Sequence, residues 1–172
     1  MSLYTGQSFG YPQVLSDLAG QRLFLIGVRL TRRLHNFRDL SLNGNADLKP
    51  LALYSNDLYG PRKYTFGGGG AVGLQFVPHT HWPTQPFFEV DGGVLAFTKE
   101  TPVPDSWCLN ITSDYGPGFY VPLANHQALK IGTQFFHFSN GETAKRNPSF
   151  DTFLVYVALT FRDFRYRRPR SM

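Results

Sequence analysis

Cysteine is nearly missing from this chain of 172 residues: Cys108 stands alone, so no internal disulfide can form and the fold is not a cystine framework. It sits between Trp107 and Leu109 in an alternating run, where a quiet, partly buried thiol is expected. Long apolar runs are missing too. No stretch approaches the roughly 18 residues that carry a helix across a bilayer. Met1 to Gly6 lacks the basic-then-apolar layout of a signal peptide, so the chain is expected to be made and folded in cytoplasm. Helical periodicity is scarce, the one segment that carries it being Gln13 to Gly20. No nucleophile elbow or triad order is present, and the carboxylates Asp47, Asp57, Asp91, Asp105, Asp114 and Asp163 are scattered. The expectation is a protein that is not an enzyme and needs no cofactor.

What is present is strand pattern. Apolar residues alternate, or run in short blocks, between Gly, Pro, Asn and Asp. Strands are expected at Arg22 to Arg33, Leu48 to Tyr54, Lys63 to Phe66 and Val72 to Val77. Further ones are Phe87 to Val90, Val94 to Thr98, Ser106 to Thr112, Phe119 to Leu123, Leu129 to Phe138 and Thr152 to Phe164. Asp91-Gly92-Gly93 and Gly116-Pro117-Gly118 supply turn signals. Trp107 shares a face with Leu109 and Ile111 and is expected in the core. The last strand is the strongest: Phe153, Val155, Val157, Leu159 and Phe161 make one apolar face, and the other is only mildly polar. A strand apolar on both sides needs cover on both sides. With so few helices, that cover must be a second sheet, a loop or a neighbouring subunit.

Long connections at Leu34 to Asp47 and Asn140 to Ser149 argue against a simple meander. The expected fold is therefore all-β, a single jelly-roll β-barrel or sandwich of two antiparallel sheets covering 1–172. Residues 1–21 would form an N-terminal arm and 165–172 a basic C-terminal tail. Tyr4, Phe9 and Tyr11 in the arm, with Leu154 and Tyr156 on the last strand, are the expected subunit interface.

Two clusters carry candidate chemistry. His79 and His81 lie two apart, which on a strand puts both imidazoles on one face, and Glu89 follows. Gly73, His79 and His81 resemble the first metal-binding motif of the cupins, themselves jelly-roll proteins. That resemblance implies a metal site of His79, His81, Glu89 and His126; the alternative places the two histidines in a surface loop, Pro78 to Pro86. Gly67 to Gly70 leads into a strand with no Lys-Ser or Lys-Thr after it, which favours a flexible loop or close backbone packing over a phosphate cradle. The second cluster is the tail, where Arg162, Arg165, Arg167, Arg168 and Arg170 interleave with aromatics and suit phosphate groups of nucleic acid or lipid, or an acidic neighbour.

The long closing strand, the arginine tail and the preference for Arg over Lys resemble single-jelly-roll viral coat proteins. They are most similar to the small major capsid protein of tailless, membrane-containing icosahedral phages of thermophiles. The resemblance implies a virion shell subunit, assembled in host cytoplasm, that packs with itself and with a second capsid protein. Its tail would meet internal membrane lipid or genome. A carbohydrate-binding or receptor-binding sandwich, with Trp82 and Trp107 as a stacking platform, is a further alternative.

Overall fold

In the computed structural model, which describes residues 1–9, 20–57 and 62–161, the chain forms eight strands. They are β1 (Ser2–Phe9), β2 (Arg22–Asn36), β3 (Leu40–Asn56), β4 (Lys63–Pro78), β5 (Gln85–Phe97), β6 (Leu109–Pro122), β7 (Gln127–Ser139) and β8 (Phe150–Phe161). Each pairs antiparallel with the next, and β8 pairs with β1, so the sheet closes into one barrel with no free edge. This corrects the jelly roll: the fold is all-β, but it is a closed eight-strand meander rather than two packed sheets.

The expected crossing segment Leu34 to Asp47 is instead a hairpin, with Phe37 N–H donating to Leu40 O at 2.8 Å. The two glycine turns are also absent, because Asp91 to Gly93 lies inside β5 and Gly116 to Gly118 inside β6. The Gly67 to Gly70 run is strand as well, and its glycines permit close chain approach: a Cβ on Gly69 would stand 1.9 Å from Val94 O. Ser2 to Phe9 is not an arm but β1, paired on both sides. The predicted helix, apart from Gly20, falls outside the described residues, as do Tyr11 and the arginine tail from Arg162 onward.

Side chains alternate across the wall, and the two faces differ in chemistry. Outward point Leu3, Ile26, Leu48, Phe66, Val72, Val90, Ile111, Ile131, Val155 and Val157, with Leu48 62% and Val72 69% exposed. Inward lies a polar centre. Arg29 Nε meets Asp47 Oδ1 at 2.7 Å, Arg29 Nη1 meets Glu89 Oε2 at 2.7 Å, and Arg29 Nη2 meets Asp91 Oδ2 at 2.7 Å. Glu89 also accepts from Lys130 at 2.7 Å, Gln134 at 3.0 Å, Gln75 at 3.2 Å and the Tyr156 hydroxyl. Four further groups on Glu89 alone make the burial of so many charges tenable, since buried ions must be paired and hydrogen-bonded. Room for the tyrosines comes from glycine: a Cβ on Gly132 would lie 2.5 Å from the Tyr156 hydroxyl.

Above this layer, Leu23, Leu25, Tyr54, Leu95, Phe97, Phe136, Phe138 and Phe150 fill one end of the lumen. Below it, Phe87, Tyr120, Ala128 and Tyr156 fill the other. Trp107, Leu109 and Ile111, expected in the core, are 46%, 41% and 55% exposed. Conversely Tyr4, Leu154 and Tyr156, expected at a subunit interface, point into the barrel's own interior, and of that set Phe9 alone among the described residues faces outward.

Strand direction alternates, so the connections divide between two ends. The termini of the barrel and the connections 37–39, 79–84 and 123–126 share one end; 98–108 and 140–149 share the other.

Candidate active site on the outer wall

At the end with the longer connections, β7 finishes in His137-Phe138-Ser139. Phe138 turns inward and is fully buried, its ring 5.0 Å from Phe150, 5.7 Å from Phe97 and 5.8 Å from Tyr54. With Phe138 anchored inside, the strand's two-residue repeat places His137 and Ser139 together on the outer face. Register supplies the third group. His137 pairs with Asp151 on β8, and Nδ1 lies 2.7 Å from Asp151 Oδ1. Asp151 is 1% exposed, whereas the His137 side chain retains 19%.

A carboxylate on Nδ1 holds the imidazole in the tautomer whose Nε2 carries a lone pair, the form that can take a proton from a hydroxyl. Serine, histidine and acid on one wall are the parts of a nucleophilic hydrolase. One row toward the barrel's middle, Tyr115, Phe135, Phe153 and Phe9 form a continuous aromatic band. Its successive ring centroids are 5.4, 6.2 and 6.0 Å apart. After Ser139 the chain enters the loop to β8, in which Gly141 and Glu142 take positive φ of 63° and 64°.

The residues predicted from sequence are not brought together here. His79 sits at the opposite end, its Nε2 2.9 Å from Ser41 Oγ and its Nδ1 donating to Arg38 O at 2.9 Å. His81 is exposed in the same connection and His126 is in the 123–126 turn, while Glu89 is sealed in the lumen. Among the described residues no group of three or more His, Cys, Asp or Glu could hold a metal ion.

A separate cavity of about 550 Å³ opens at the barrel mouth between Asn56, Lys63, Thr65, Lys99 and the Pro102 to Pro104 segment. Near that rim the Arg62 guanidinium, 2.7 Å from Asp57, holds the Asp57 carboxyl below the usual carboxylate range. The cavity shares no lining residue with the His137 site.

The sequence model of the family described as lipid A 3-O-deacylase (PagL) matches residues 25–160, a span that includes His137, Ser139 and Asp151. The chain belongs to that family. Among solved structures it is similar to the crystal structure of the outer membrane enzyme PagL, with a TM-score of 0.67 and 14% identity over 92% of this chain and 98% of that one. A second similar structure is the outer membrane protein AlkL, determined by solid-state NMR in DMPC bilayers, at TM-score 0.42 and 11% identity, covering 92% of this chain and 86% of that one. No curated protein matches by sequence.

Membership in the PagL family overturns the capsid reading and, with it, the virion location, the phage assignment and the expectation of a protein without enzymatic activity. The cupin and carbohydrate-binding alternatives find no support either. The resemblance to coat proteins rested on a long apolar strand and a basic tail, and an apolar outer face serves a barrel as well as a shell.

Proposed function

We propose that this chain is an outer-membrane esterase that removes an O-linked acyl chain from lipid A. The observation that carries the proposal is the 2.7 Å contact of His137 Nδ1 with Asp151 Oδ1 on the outer wall, with Ser139 two residues along the same face. The inverted chemistry of the wall, apolar outside and ionic inside, suits a barrel in lipid. In barrels of this type the longer loops are extracellular and the short turns periplasmic. The triad therefore stands at the outer leaflet, facing lipid.

In the reaction, Ser139 Oγ attacks the ester carbonyl while His137 Nε2 takes its proton, and Asp151 stabilises the imidazolium. The tetrahedral intermediate collapses, the carbon–oxygen bond to the sugar breaks, and His137 returns the proton to the departing sugar oxygen. Water, deprotonated by His137, then attacks the acyl-Ser139 ester and releases the fatty acid, restoring the serine hydroxyl. The Gly141 N–H has no acceptor among the described residues and is available to the carbonyl oxygen as negative charge builds on it. The aromatic band lies about 13 Å down the strand from Ser139, four residues at roughly 3.3 Å each, where the acyl chain would run.

The test is release of fatty acid from purified lipid A in mixed micelles, followed by mass spectrometry of both products. The wild-type chain is expected to release one acyl chain, and Ser139→Ala and His137→Ala to release none above background. Full activity in Ser139→Ala, or a wild-type chain that leaves lipid A intact, would sink the proposal.

A further inference from the structure

The loop from Asn140 to Ser149 joins the strand that carries Ser139 to the one that carries Asp151, and its backbone is tied down. Asn140, 2% exposed, donates from Nδ2 to Arg146 O at 2.6 Å and accepts the Glu142 N–H on Oδ1 at 3.1 Å. Its own N–H donates to Asn147 Oδ1 at 3.1 Å, and its carbonyl accepts from Thr143 Oγ1 at 2.6 Å. One buried amide next to the nucleophile thus sets the path of the loop on both sides of Lys145-Arg146. Both of those side chains are exposed, and neither makes an ion pair among the described residues. The one carboxylate within the loop is Glu142, so the loop carries a net positive charge.

From the end of the barrel toward its middle, the wall thus presents two exposed cations, then the nucleophile and base, then an aromatic band. An amphiphile with an anionic head, an ester near the head and an apolar chain matches that sequence of surfaces. We propose that Lys145 and Arg146 bind a phosphate of the lipid A headgroup and thereby bring one particular ester over Ser139. The proposal rests on the reading of Ser139, His137 and Asp151 as an esterase site, and it assigns the loop a positioning role. Guanidinium and ammonium suit a phosphate in different ways, the first as a planar fork and the second as a point charge.

The experiment compares wild type with Lys145→Ala/Arg146→Ala on phosphorylated lipid A, on the same lipid A stripped of phosphate, and on a neutral p-nitrophenyl acyl ester. On phosphorylated lipid A the double variant is expected to lose roughly 10- to 100-fold in kcat/KM, mostly through KM. On the other two substrates it should stay within about twofold of wild type, and Lys145→Arg/Arg146→Lys should recover most of the loss. Binding of the phosphorylated and stripped lipids is measured in parallel on Ser139→Ala, with and without the double substitution, so that the result does not depend on turnover. Preference for the phosphorylated lipid that vanishes with the two cations supports the proposal, even on a chain that proves unable to cleave it. Equal loss on phosphorylated and stripped lipid, or no loss on either, overturns it. Failure on all three substrates by wild type counts against the esterase reading alone.

Discussion

Arg29 on β2 and Glu89 on β5 meet across the middle of the barrel, Nη1 to Oε2 at 2.7 Å, with neither side chain more than 7% exposed. Lys130 on β7 reaches the same Oε2 at 2.7 Å, so Glu89 is the anion shared by two cations from different strands. Removing it leaves both without that partner, and truncating one member of a buried pair typically costs about 3–5 kcal/mol. Glu89→Ala is therefore expected to lower the free energy of unfolding in detergent by that margin, read as a lower urea midpoint at unchanged slope. A midpoint unchanged from wild type would mean the lumen is wetter than the hydrogen bonds imply.

The same cluster bears on conduction. Between Tyr4, Arg29, Lys49, Asp114 and Lys130 a void of about 10 Å³ remains, on the scale of a single water. Aromatic layers close the lumen on either side. The chain reconstituted in a planar bilayer is expected to give no stable conductance steps above the lipid baseline. Discrete, reproducible openings would contradict the packed interior.

The outer wall makes an equally direct prediction. Val155 lies near the middle of β8, pairs with Gln7 and Thr133, and points outward at 38% exposure. If that face meets hydrocarbon, Val155→Arg should destabilise the barrel in phospholipid vesicles by about 2–4 kcal/mol. On a wall facing water the same change would cost almost nothing. Reversible unfolding in vesicles separates the two.

How far this could be foreseen depends on which feature is asked about. Most strands were legible: Leu129 to Phe138 and Thr152 to Phe164 correspond to β7 and β8, and Arg22 to Arg33 to most of β2. Their breaks were not, because Gly93, Gly116 and Gly118 carry turn chemistry yet serve here as thin points in continuous strands. Gly116 leaves no room for a Cβ, which would lie 2.0 Å from Thr133 O. The inside and outside were inverted for a deeper reason. Alternation says that a strand has two unlike faces but not which of them meets water, so Leu109 and Ile111 pattern identically as core or as lipid-facing wall. An apolar run long enough for a helix is likewise the wrong signal for a membrane strand, whose apolar residues come every second position.

The triad was half visible. His137 and Ser139 share a face by spacing alone, an imidazole and a hydroxyl two residues apart at the end of the strand, and that spacing was the available clue. Asp151 was not visible, since only the β7–β8 register, with ten residues of loop between Ser139 and Phe150, brings it opposite His137.

Asp151 also offers the sharpest test of the chemistry. Asp151→Asn preserves shape and the capacity to hydrogen-bond, but it can present an amide N–H to His137 Nδ1 in place of an acceptor. The imidazole would then settle in the other tautomer, with its proton on Nε2 aimed at the nucleophile and no lone pair to receive the serine proton. Turnover should fall about 10⁴-fold, the scale seen when an orienting aspartate is neutralised in a serine triad. KM should change little, because Asp151 is 1% exposed and reaches substrate only through His137. Adding Ser139→Ala to Asp151→Asn should cost little beyond Ser139→Ala alone, as residues that act as a unit are not additive. Near-normal kcat in a folded Asp151→Asn barrel would leave the aspartate as a structural partner of the histidine, and the nucleophile's base would have to be sought elsewhere on the wall.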